Sequence, residues 1–314
     1  MKVNPSSEIE VSIIIRTKNE EKHLEKVLKK ILSQKFSRGV EIIIVDSGSE
    51  DNTLRIAKKY TKKIVHLFKW RERFSWGGAL NVGVENSKGK FIVNLSAHCI
   101  PVNDSWLKEL YDKIQGSKFV GVGGKQVPLK GTDPFEEVEL WRWFPDGEKG
   151  TFSNANSIIQ KKTLQKYPFN EEVNSEEDGL WEKEMVQRGF NIGYCSAARV
   201  YHSHDFSAKN TYRRWYGRGY TMARLFNSKD GKISYFIWNL FKFLVYDLVY
   251  FIKSKNFKYI KLIPYYEGIR QVARFKGGRA SLKDKVGYRS YFIEPPSVRL
   301  IKFIEKKIKN EISN

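Results

Sequence analysis

Runs of apolar residues alternate with amphipathic segments along the first 125 residues of the chain. "VSIIIR" (11–16) and "VEIIIVD" (40–46) are almost continuously apolar, as is typical of parallel strands buried on both faces. Between them, "TKNEEKHLEKVLKKILSQ" (17–34) places Leu24, Leu28 and Ile31 at helical spacing. This pattern predicts a strand, a helix and a second strand.

The same alternation continues to residue 96. "SEDNTLRIAKKY" (49–60) and "SWGGALNVGVENSK" (75–88) predict helices, and "KKIVHLF" (62–68) and "GKFIVNLS" (89–96) predict strands. Strands joined through helices form right-handed crossovers and a mostly parallel sheet, so we expect an α/β fold. Ligands of such sheets bind beyond the carboxyl ends of the strands. That rule predicts a site along one rim, formed by residues 16–19, 46–49 and 96–99.

The later part of the chain has two informative stretches. "ARVYHSHDFS" (198–207) predicts a strand on which His202 and His204 share one face. "YFIWNLFKFLVYDLVYFI" (235–252) is long enough to cross a thin bilayer, but Lys242 and Asp247 near its middle oppose insertion. We expect an element that lies against anionic lipid, and the alternative is a buried helix of a helical subdomain or of a dimer interface.

Charge is distributed unevenly along the chain. The net charge is +21, and residues 206–314 hold 24 Lys and Arg against 7 Asp and Glu, which gives +17. A region of this kind attracts polyanions such as nucleic acid, anionic lipid headgroups or phosphorylated substrates. The C-terminal third is therefore expected to form a basic, aromatic-rich, mainly helical extension.

Composition excludes several classes of protein. With 41% hydrophobic and 14% aromatic residues, the 314-residue chain can bury a sizeable core and is not a disordered sequence. Two cysteines, Cys99 and Cys195, are too few for a disulfide framework and favour a reducing compartment. "MKVNPSSEIE" (1–10) lacks the apolar region of a secretory signal, so we expect a cytoplasmic protein.

Four ordered segments resemble one family. "VSIIIRTKNEEKHLEKVL", "EIIIVDSGSEDNT", "GGALNVGVENSKGKFIVNLSAHCIP" and "NSEEDGLWEKEMVQRGFNIGYCSAARVYHSH" are similar in order and spacing to family 2 glycosyltransferases, which have the GT-A fold. The resemblance implies a Rossmann-like sheet flanked by helices and inverting transfer of a sugar from a nucleotide-sugar to a hydroxyl. It also implies a glycosyltransferase domain over residues 8–226, with residues 227–314 as the helical extension.

The segment "NSEEDGLW" (174–181) carries the residues that the resemblance assigns to catalysis. Glu177 and Asp178 match the acidic pair of the family, and Asp178 is expected to be the general base. Such a base must lie within hydrogen-bond reach of the acceptor hydroxyl, on the face opposite the leaving nucleotide. The alternative is that these acids are only first-turn residues favoured by the helix dipole.

Donor binding is expected along the rim. The resemblance places Thr17, Asn19, Asp46 and Gly48 near the nucleoside and also implies a donor contact for Asn81. Asn19 could instead cap the following helix, and Ser49 or Asp51 could cap the next one. Arg213, in an arginine and aromatic cluster, could bind donor diphosphate or a lipid diphosphate, or it could be a solvated surface residue.

The stretch "NLSAHCIP" (94–101) departs from the family. Ser96 and His98 occupy the positions where an Asp-x-Asp motif usually binds the ribose and a divalent metal. Imidazole suits Mn²⁺ and other transition metals better than Mg²⁺, so His98 with His204, or His202, is a candidate ligand set. The alternative is a metal-free site in which histidines and arginines stabilise the leaving diphosphate directly.

Two functional classes follow. The favoured one is an inverting glycosyltransferase at the inner face of the cell membrane, acting on a lipid-linked glycan in surface polysaccharide biosynthesis. Its expected partners are a nucleotide-sugar, a saccharide acceptor and an anionic membrane, with Mn²⁺ or Mg²⁺ as an optional cofactor. The other is a nucleic-acid-binding protein that uses the basic C-terminal region.

Overall fold

The computed structural model describes residues 8–173, 175–203 and 208–283. These residues form two compact units. The first contains residues 8–130, 140–173 and 175–203, and the second contains residues 131–139 and 208–283. The predicted domain division after residue 226 stays a prediction.

The first unit is built on one sheet. Its strands are β1 (Ile9–Thr17), β2 (Gly39–Asp46), β3 (Ile64–His66), β4 (Phe91–Ser96), β5 (Ile100–Pro101), β6 (Phe119–Val127), β7 (Asn156–Gln160) and β8 (Asn191–Tyr201). Their order is β3-β2-β1-β4-β7-β6-β8-β5. The pairings of β1 with β2 and β4, of β2 with β3 and of β6 with β8 are parallel, whereas β7 and β5 pair antiparallel. The expected α/β fold is confirmed, with a mixed sheet.

Helices flank this sheet. They are α1 (Leu24–Leu32), α2 (Thr53–Ala57), α3 (Trp76–Glu85), α4 (Trp106–Ile114), α5 (Pro134–Trp143), α6 (Lys161–Lys166) and α7 (Glu177–Gln187). The first residues of α5, up to Glu139, belong to the second unit. The alternating apolar residues of β1 enter two different cores, since Ile13 and Ile15 pack in one cluster and Ile14 in another. A buried sheet with an apolar layer on each face results.

Close packing of α3 on the sheet depends on a glycine. A Cβ atom at Gly83 would lie 2.5 Å from Cγ2 of Ile14, so a larger residue cannot fit without a shift of the helix. This contact lies in the C-terminal half of α3 and holds the helix close to the middle of β1.

Four predicted elements differ from the observed ones, and one of them is α2, which covers Thr53–Ala57 rather than 49–60. Helix α1 begins at Leu24 rather than near residue 17, because Glu20 donates its N–H to Thr53 Oγ1 and Asn19 has a left-handed φ of 56°. The third strand is short and continues as a 3₁₀ turn at Leu67–Lys69. The strand expected over 198–207 ends at Tyr201, so His202 follows β8, and His204 lies outside the described residues.

The second unit contains three long helices: α8 (Ala208–Leu225), α9 (Ile233–Lys253) and α10 (Ile263–Lys283). Its apolar core includes Trp215, Phe251 and Tyr266. Arg270 is fully buried between the rings of Trp215 and Tyr266, forms ion pairs with Glu267 and Glu139, and has its pKa lowered to about 9 by burial. The expected C-terminal helical extension is confirmed.

Candidate active site

The carboxyl ends of β1, β2 and β4 meet at one edge of the sheet. In the ladder, Thr17 is paired with Asp46, and Arg16 is paired with Ser96. The rim that the sequence predicts therefore exists, and it brings these residues from distant parts of the chain side by side.

Asp46 organises the loop that follows β2. Its carboxylate accepts hydrogen bonds from the N–H groups of Gly48 (2.9 Å) and Ser49 (3.0 Å) and from the hydroxyls of Ser49 and Thr17. Gly48 has a φ of +86°, which few other residues tolerate. Because Asp46 is 1% exposed, its observed role is to shape this loop, and a contact with a nucleotide stays a prediction.

Asn19 joins two loops of the rim. Its side-chain oxygen accepts the N–H of Glu50 (2.9 Å), and its own N–H donates to Ser49 Oγ (3.0 Å). It does not cap α1, which begins five residues later. Asp51 accepts the N–H of Thr53 (2.9 Å), the first residue of α2, but the N-cap of that helix is Asn52, whose side chain makes no capping bond. Asn19 is exposed, and its predicted contact with the nucleoside is untested.

Asn81 is buried in α3. Its amide donates to Phe169 O and Glu171 Oε1, both at 2.9 Å, and accepts the N–H of Phe169 (3.1 Å). These bonds tie α3 to the segment that precedes the acidic pair, so the predicted donor contact would have to be indirect.

The acidic pair opens α7. Glu176 precedes it with a left-handed φ of 60°, and Glu177 and Asp178 form the first turn. Asp178 is half-buried, and its two oxygens accept N–H groups from Asn154 (3.2 Å) and Gly179 (2.8 Å). Two backbone donors thus fix the orientation of this carboxylate while leaving it accessible.

Glu177 is in a different environment. It is buried, and its Oε1 lies 3.1 Å from Nη1 of Arg16. Arg16 also donates to the carbonyl oxygen of Trp76 (3.3 Å) and lies 4.8 Å from the centre of that ring. Burial and the charge of Asp178 raise the pKa of Glu177, whereas Arg16 opposes this shift. The ion pair with Arg16 thus holds the side chain of Glu177 in place.

A further carboxyl lies on the next turn of α7. Burial, and secondarily the charge of Asp178, raise the pKa of Glu182 to about 7. No motif in the sequence singles out Glu182, because its partial burial arises only when α7 packs in the folded protein.

A chain of four side chains in contact includes His98, which lies in the turn that follows β4. Nδ1 of His98 lies 2.9 Å from Oε1 of Glu20, and Nε2 of His98 lies 3.1 Å from Nε2 of His202. Nδ1 of His202 contacts Oε1 of Gln126. We call Glu20, His98, His202 and Gln126 the histidine cluster. His98 follows β4 in a turn in which the N–H of Cys99 donates to Ser96 O (2.9 Å).

The ring contacts restrict the protonation of the cluster. Oxygen atoms of Glu20 and Gln126 face the two Nδ1 atoms, and the two Nε2 atoms can form a hydrogen bond with each other when one of them carries a hydrogen. A metal could take its place, since two metal–nitrogen bonds of about 2.1 Å at roughly a right angle set the nitrogens about 3 Å apart. Among the described residues, however, no third His, Cys, Asp or Glu joins such a group. This donor set does not fit Mg²⁺, which takes oxygen ligands.

The sequence predicts some residues of this site but not others. His98, Ser96 and the alternative His202 were expected, whereas Glu20 and Gln126 were not. Glu20 follows the first strand in "TKNEE", and only that position on the rim could have suggested it. Cys99 is fully buried, as expected of a packing residue, and burial raises the pKa of its thiol. Arg213 lies exposed on α8 in the second unit, and its predicted role is untested.

The sequence of this chain also matches a known protein family. The family model "Glycosyl transferase family 2" matches residues 12–171, more than half of the chain. The chain belongs to glycosyltransferase family 2. The expected family of sugar-transferring enzymes is thereby confirmed, whereas the replacement of Asp-x-Asp by Ser96 and His98 stays a prediction.

Curated relatives within glycosyltransferase family 2 include two similar proteins. The O-antigen chain rhamnosyltransferase WbaN of Salmonella anatum is 27% identical over 57% of this chain and 61% of its own length. The glycosyltransferase AglE of Haloferax volcanii is 26% identical over 59% of this chain and 64% of its own length. The chain thus matches about three fifths of the length of these relatives.

Two solved structures share the fold. The mannosyltransferase PcManGT of Pyrobaculum calidifontis, solved with GDP-Man and Mn²⁺, has a TM-score of 0.63 and 14% identity over 91% of this chain and 90% of its own. Glucosyl-3-phosphoglycerate synthase of Mycobacterium tuberculosis, solved with phosphoglyceric acid, has a TM-score of 0.55 and 18% identity over 73% of this chain and 84% of its own. At these identities, the likeness shows the fold.

Proposed function

We propose that this protein is an inverting glycosyltransferase that moves a sugar from a nucleotide-sugar to a hydroxyl group of a saccharide acceptor. The observation that carries the proposal is the acidic pair at the start of α7. Asp178 is half-buried and held by two backbone N–H groups, and Glu177 beside it is occupied by Arg16. This arrangement supports Asp178 as the base and Glu177 as a residue that positions it.

The proposed reaction uses one proton transfer and one displacement. Asp178 accepts the proton of the acceptor hydroxyl as its oxygen attacks the anomeric carbon of the donor sugar. The bond between that carbon and the diphosphate oxygen breaks, and the nucleoside diphosphate leaves with the bonding electrons. Attack from the face opposite the leaving group inverts the configuration at this carbon.

The leaving diphosphate needs positive charge or hydrogen-bond donors. The histidine cluster is the candidate for this role, because His98 lies at the end of β4 and Glu20 holds its ring in one orientation. Glu20 and Gln126 take up the two Nδ1 atoms, so a diphosphate would be met by the two Nε2 atoms, which face each other. PcManGT and related structures were solved with Mn²⁺, and if an ion of this type binds here, His98 and His202 would hold it and it would neutralise diphosphate charge. His204 is also a predicted ligand but lies outside the described residues.

The proposed acceptor is a lipid-linked glycan of a surface polysaccharide. Two relatives support this class: WbaN and RfbN are both described as O-antigen chain rhamnosyltransferases. We place the enzyme at the inner face of the cell membrane, because its basic second unit suits an anionic surface.

Two measurements on the purified protein test this function. UDP, GDP and dTDP are added in turn, with and without Mn²⁺, and one of them is expected to raise the melting temperature, since a ligand at about 100 times its Kd stabilises by about 2.7 kcal/mol. Asp178→Asn is then expected to keep that response but to lower sugar transfer by roughly 10²–10⁴-fold, the usual contribution of a general base.

The matched control is Glu184→Gln, another acidic residue of α7 that has no assigned role. It should transfer sugar at the rate of the unmodified protein. Transfer by Asp178→Asn at the unmodified rate would remove Asp178 from the mechanism. A protein that responds to no nucleotide but binds oligonucleotides tightly would instead support the nucleic-acid alternative.

A further inference from the structure

Helix α9 has an inverted distribution of polar and apolar side chains. Its buried stripe contains Asn239, Phe243, Asp247 and Phe251, which recur every fourth residue. Its exposed stripe is apolar, with Phe241 63% exposed and Ile237 60% exposed. We call this stripe the outer face of α9, and it consists of Ile233, Ile237, Phe241, Val245, Leu248 and Ile252.

Such a face is unusual for a helix that contacts water. Surface helices normally bury the apolar stripe and expose the polar one, and a large exposed apolar patch marks an interaction site. Trp238 next to the outer face is also 60% exposed, and Phe257 in the following 3₁₀ turn is 59% exposed. Aromatic residues of this kind are enriched where a protein meets the lipid–water interface.

The charges around the outer face have one sign. In residues 229–283, all of which are described, the three carboxylates belong to Asp230, Asp247 and Glu267, and all three are buried. Two of them pair with buried arginines, Arg274 and Arg270. The exposed charges of this range are all cationic: Lys229, Lys232, Lys242, Lys253, Lys255, Lys258, Lys261, Lys276, Arg279 and Lys283.

This positive charge helps to decide which partner could cover the outer face: a second copy of the chain, the segment 284–314 or a lipid bilayer. A second copy of the chain would bring the same cations against these and would be repelled. The segment 284–314 has seven basic and four acidic residues, so it offers no compensating negative charge either. An anionic bilayer supplies both an apolar layer for the stripe and negative headgroups for the lysines.

We propose that the outer face of α9 binds an anionic lipid bilayer, with the helix lying in the plane of the membrane surface. At 21 residues α9 is long and apolar enough to cross a membrane, but its buried stripe already packs against other parts of the second unit. Phe243 packs on Trp215, Phe236 on Phe275, and Phe251 on Tyr259. A transmembrane position would strip away these contacts and expose Asp247 and Lys242 to hydrocarbon.

The first experiment locates the contact with a fluorescent label. Both native cysteines are buried, so Phe241→Cys in the full-length protein provides one accessible thiol for an environment-sensitive dye. Adding vesicles of phosphatidylcholine with phosphatidylglycerol should shift the emission of this label to shorter wavelength, and phosphatidylcholine alone should not. Val186→Cys is the matched control, since Val186 is 56% exposed on α7 of the first unit, and its label should not respond.

The second experiment measures binding by co-sedimentation with the same vesicles. The double variant Ile237→Ser, Phe241→Ser should bind about tenfold more weakly or worse, because it loses two large apolar side chains from the contact. Lys242→Gln with Lys253→Gln should weaken binding to anionic vesicles by roughly tenfold, and raised salt should release the unmodified protein. Val186→Ser should bind normally.

Several results would overturn the proposal. Vesicle binding that leaves the label at position 241 unchanged would move the contact elsewhere on the protein. A label that is already shielded without lipid would mean that another part of the chain or a second copy covers the face. Protein that resists release by both raised salt and alkaline carbonate would indicate a spanning helix, and binding of oligonucleotides in preference to vesicles would indicate nucleic acid as the partner.

The proposal rests on the proposed membrane location but not on the transfer reaction. Asp178→Asn should therefore bind vesicles as the unmodified protein does. Loss of transfer with intact vesicle binding, and loss of vesicle binding with intact nucleotide response, distinguish failure of the active site from failure of the membrane surface.

Discussion

At the scale of single residues, the histidine cluster is the clearest case of side chains that only the folded chain brings together. His98 and His202 are more than 100 positions apart, yet their Nε2 atoms lie 3.1 Å apart. Each histidine also has an outer partner, Glu20 or Gln126, which orients its ring. These outer partners fix both rings and leave only the two Nε2 atoms for a diphosphate or a metal to contact.

We predict that His98→Ala lowers kcat for sugar transfer by roughly 10²-fold, as expected for loss of one donor to a developing negative charge. Treatment of the unmodified enzyme with EDTA is expected to leave its rate unchanged if the histidines meet the diphosphate directly, because no metal then takes part. Initial rates with saturating donor provide the measurement.

His66→Ala is the control, since His66 is an exposed histidine at the end of β3. If EDTA abolishes transfer and Mn²⁺ restores it, the histidines are metal ligands. If His98→Ala and EDTA both leave the rate intact, the turn after β4 has only a structural role.

Glu182 makes stability depend on pH. Its pKa is raised to about 7, chiefly by burial, against a usual value near 4.5. The folded protein thus holds this proton more tightly than the unfolded chain, so the resulting stabilisation is present below about pH 4.5 and is lost as the pH rises through 7. Glu182→Gln should be more stable than the unmodified protein at pH 8 by about 2 kcal/mol and nearly equal at pH 4.5.

Urea unfolding at the two pH values measures this difference. Glu148→Gln, which removes an exposed carboxylate, should show no such change between them. An equal effect of Glu182→Gln at pH 4.5 and pH 8 would mean that the proton is not the cause.

At the scale of elements, Arg16 connects three parts of the first unit. It lies near the end of β1, donates to Trp76 at the start of α3 and pairs with Glu177 at the start of α7. The side chains of the ion pair are only 11% and 8% exposed, so solvent screens it little. This pair holds the acidic end of α7 against the rim of the sheet.

Arg16→Met is expected to lower the free energy of unfolding by about 3–5 kcal/mol, because it leaves Glu177 buried without its counter-charge. The double variant Arg16→Met, Glu177→Gln should recover part of this loss, since no charge then remains buried. Urea unfolding at pH 7 of the single and double variants gives the coupling energy.

Arg73→Met is the matched control. Arg73 pairs with Glu172, but these side chains are 62% and 72% exposed, so its loss should change stability by only about 0–1 kcal/mol. A double variant as unstable as Arg16→Met would show that Arg16 stabilises through its contacts with Trp76 rather than through Glu177.

At the scale of the whole molecule, charge and apolar surface divide the chain into two regions of different chemistry. Residues 1–205 have a net charge of +4, with 32 basic and 28 acidic residues, whereas residues 206–314 have +17. The described part of the second region also has the exposed apolar face of α9. The proposed donor site and the proposed lipid surface therefore depend on different features of the sequence and can be tested separately.

The sequence by itself determined the elements whose pattern is local. The apolar runs of β1, β2 and β4 read as buried strands because nearly every residue is β-branched or aliphatic, and the helices between them follow from residue spacing. The sequence also predicted the rim, because parallel strands end on the same edge of a sheet. Four ordered segments identified the family, which the match over residues 12–171 confirmed.

Only the tertiary structure decided which of these residues meet. The pairing of His98 with His202 and the ion pair of Arg16 with Glu177 depend on contacts between segments far apart in the chain. The sequence likewise does not predict which side of α9 is buried, because a helix that is apolar on most sides has no preferred face until its neighbours are known. Local spacing fixes the period of an element, whereas long-range packing fixes which side it buries and which charges it brings together.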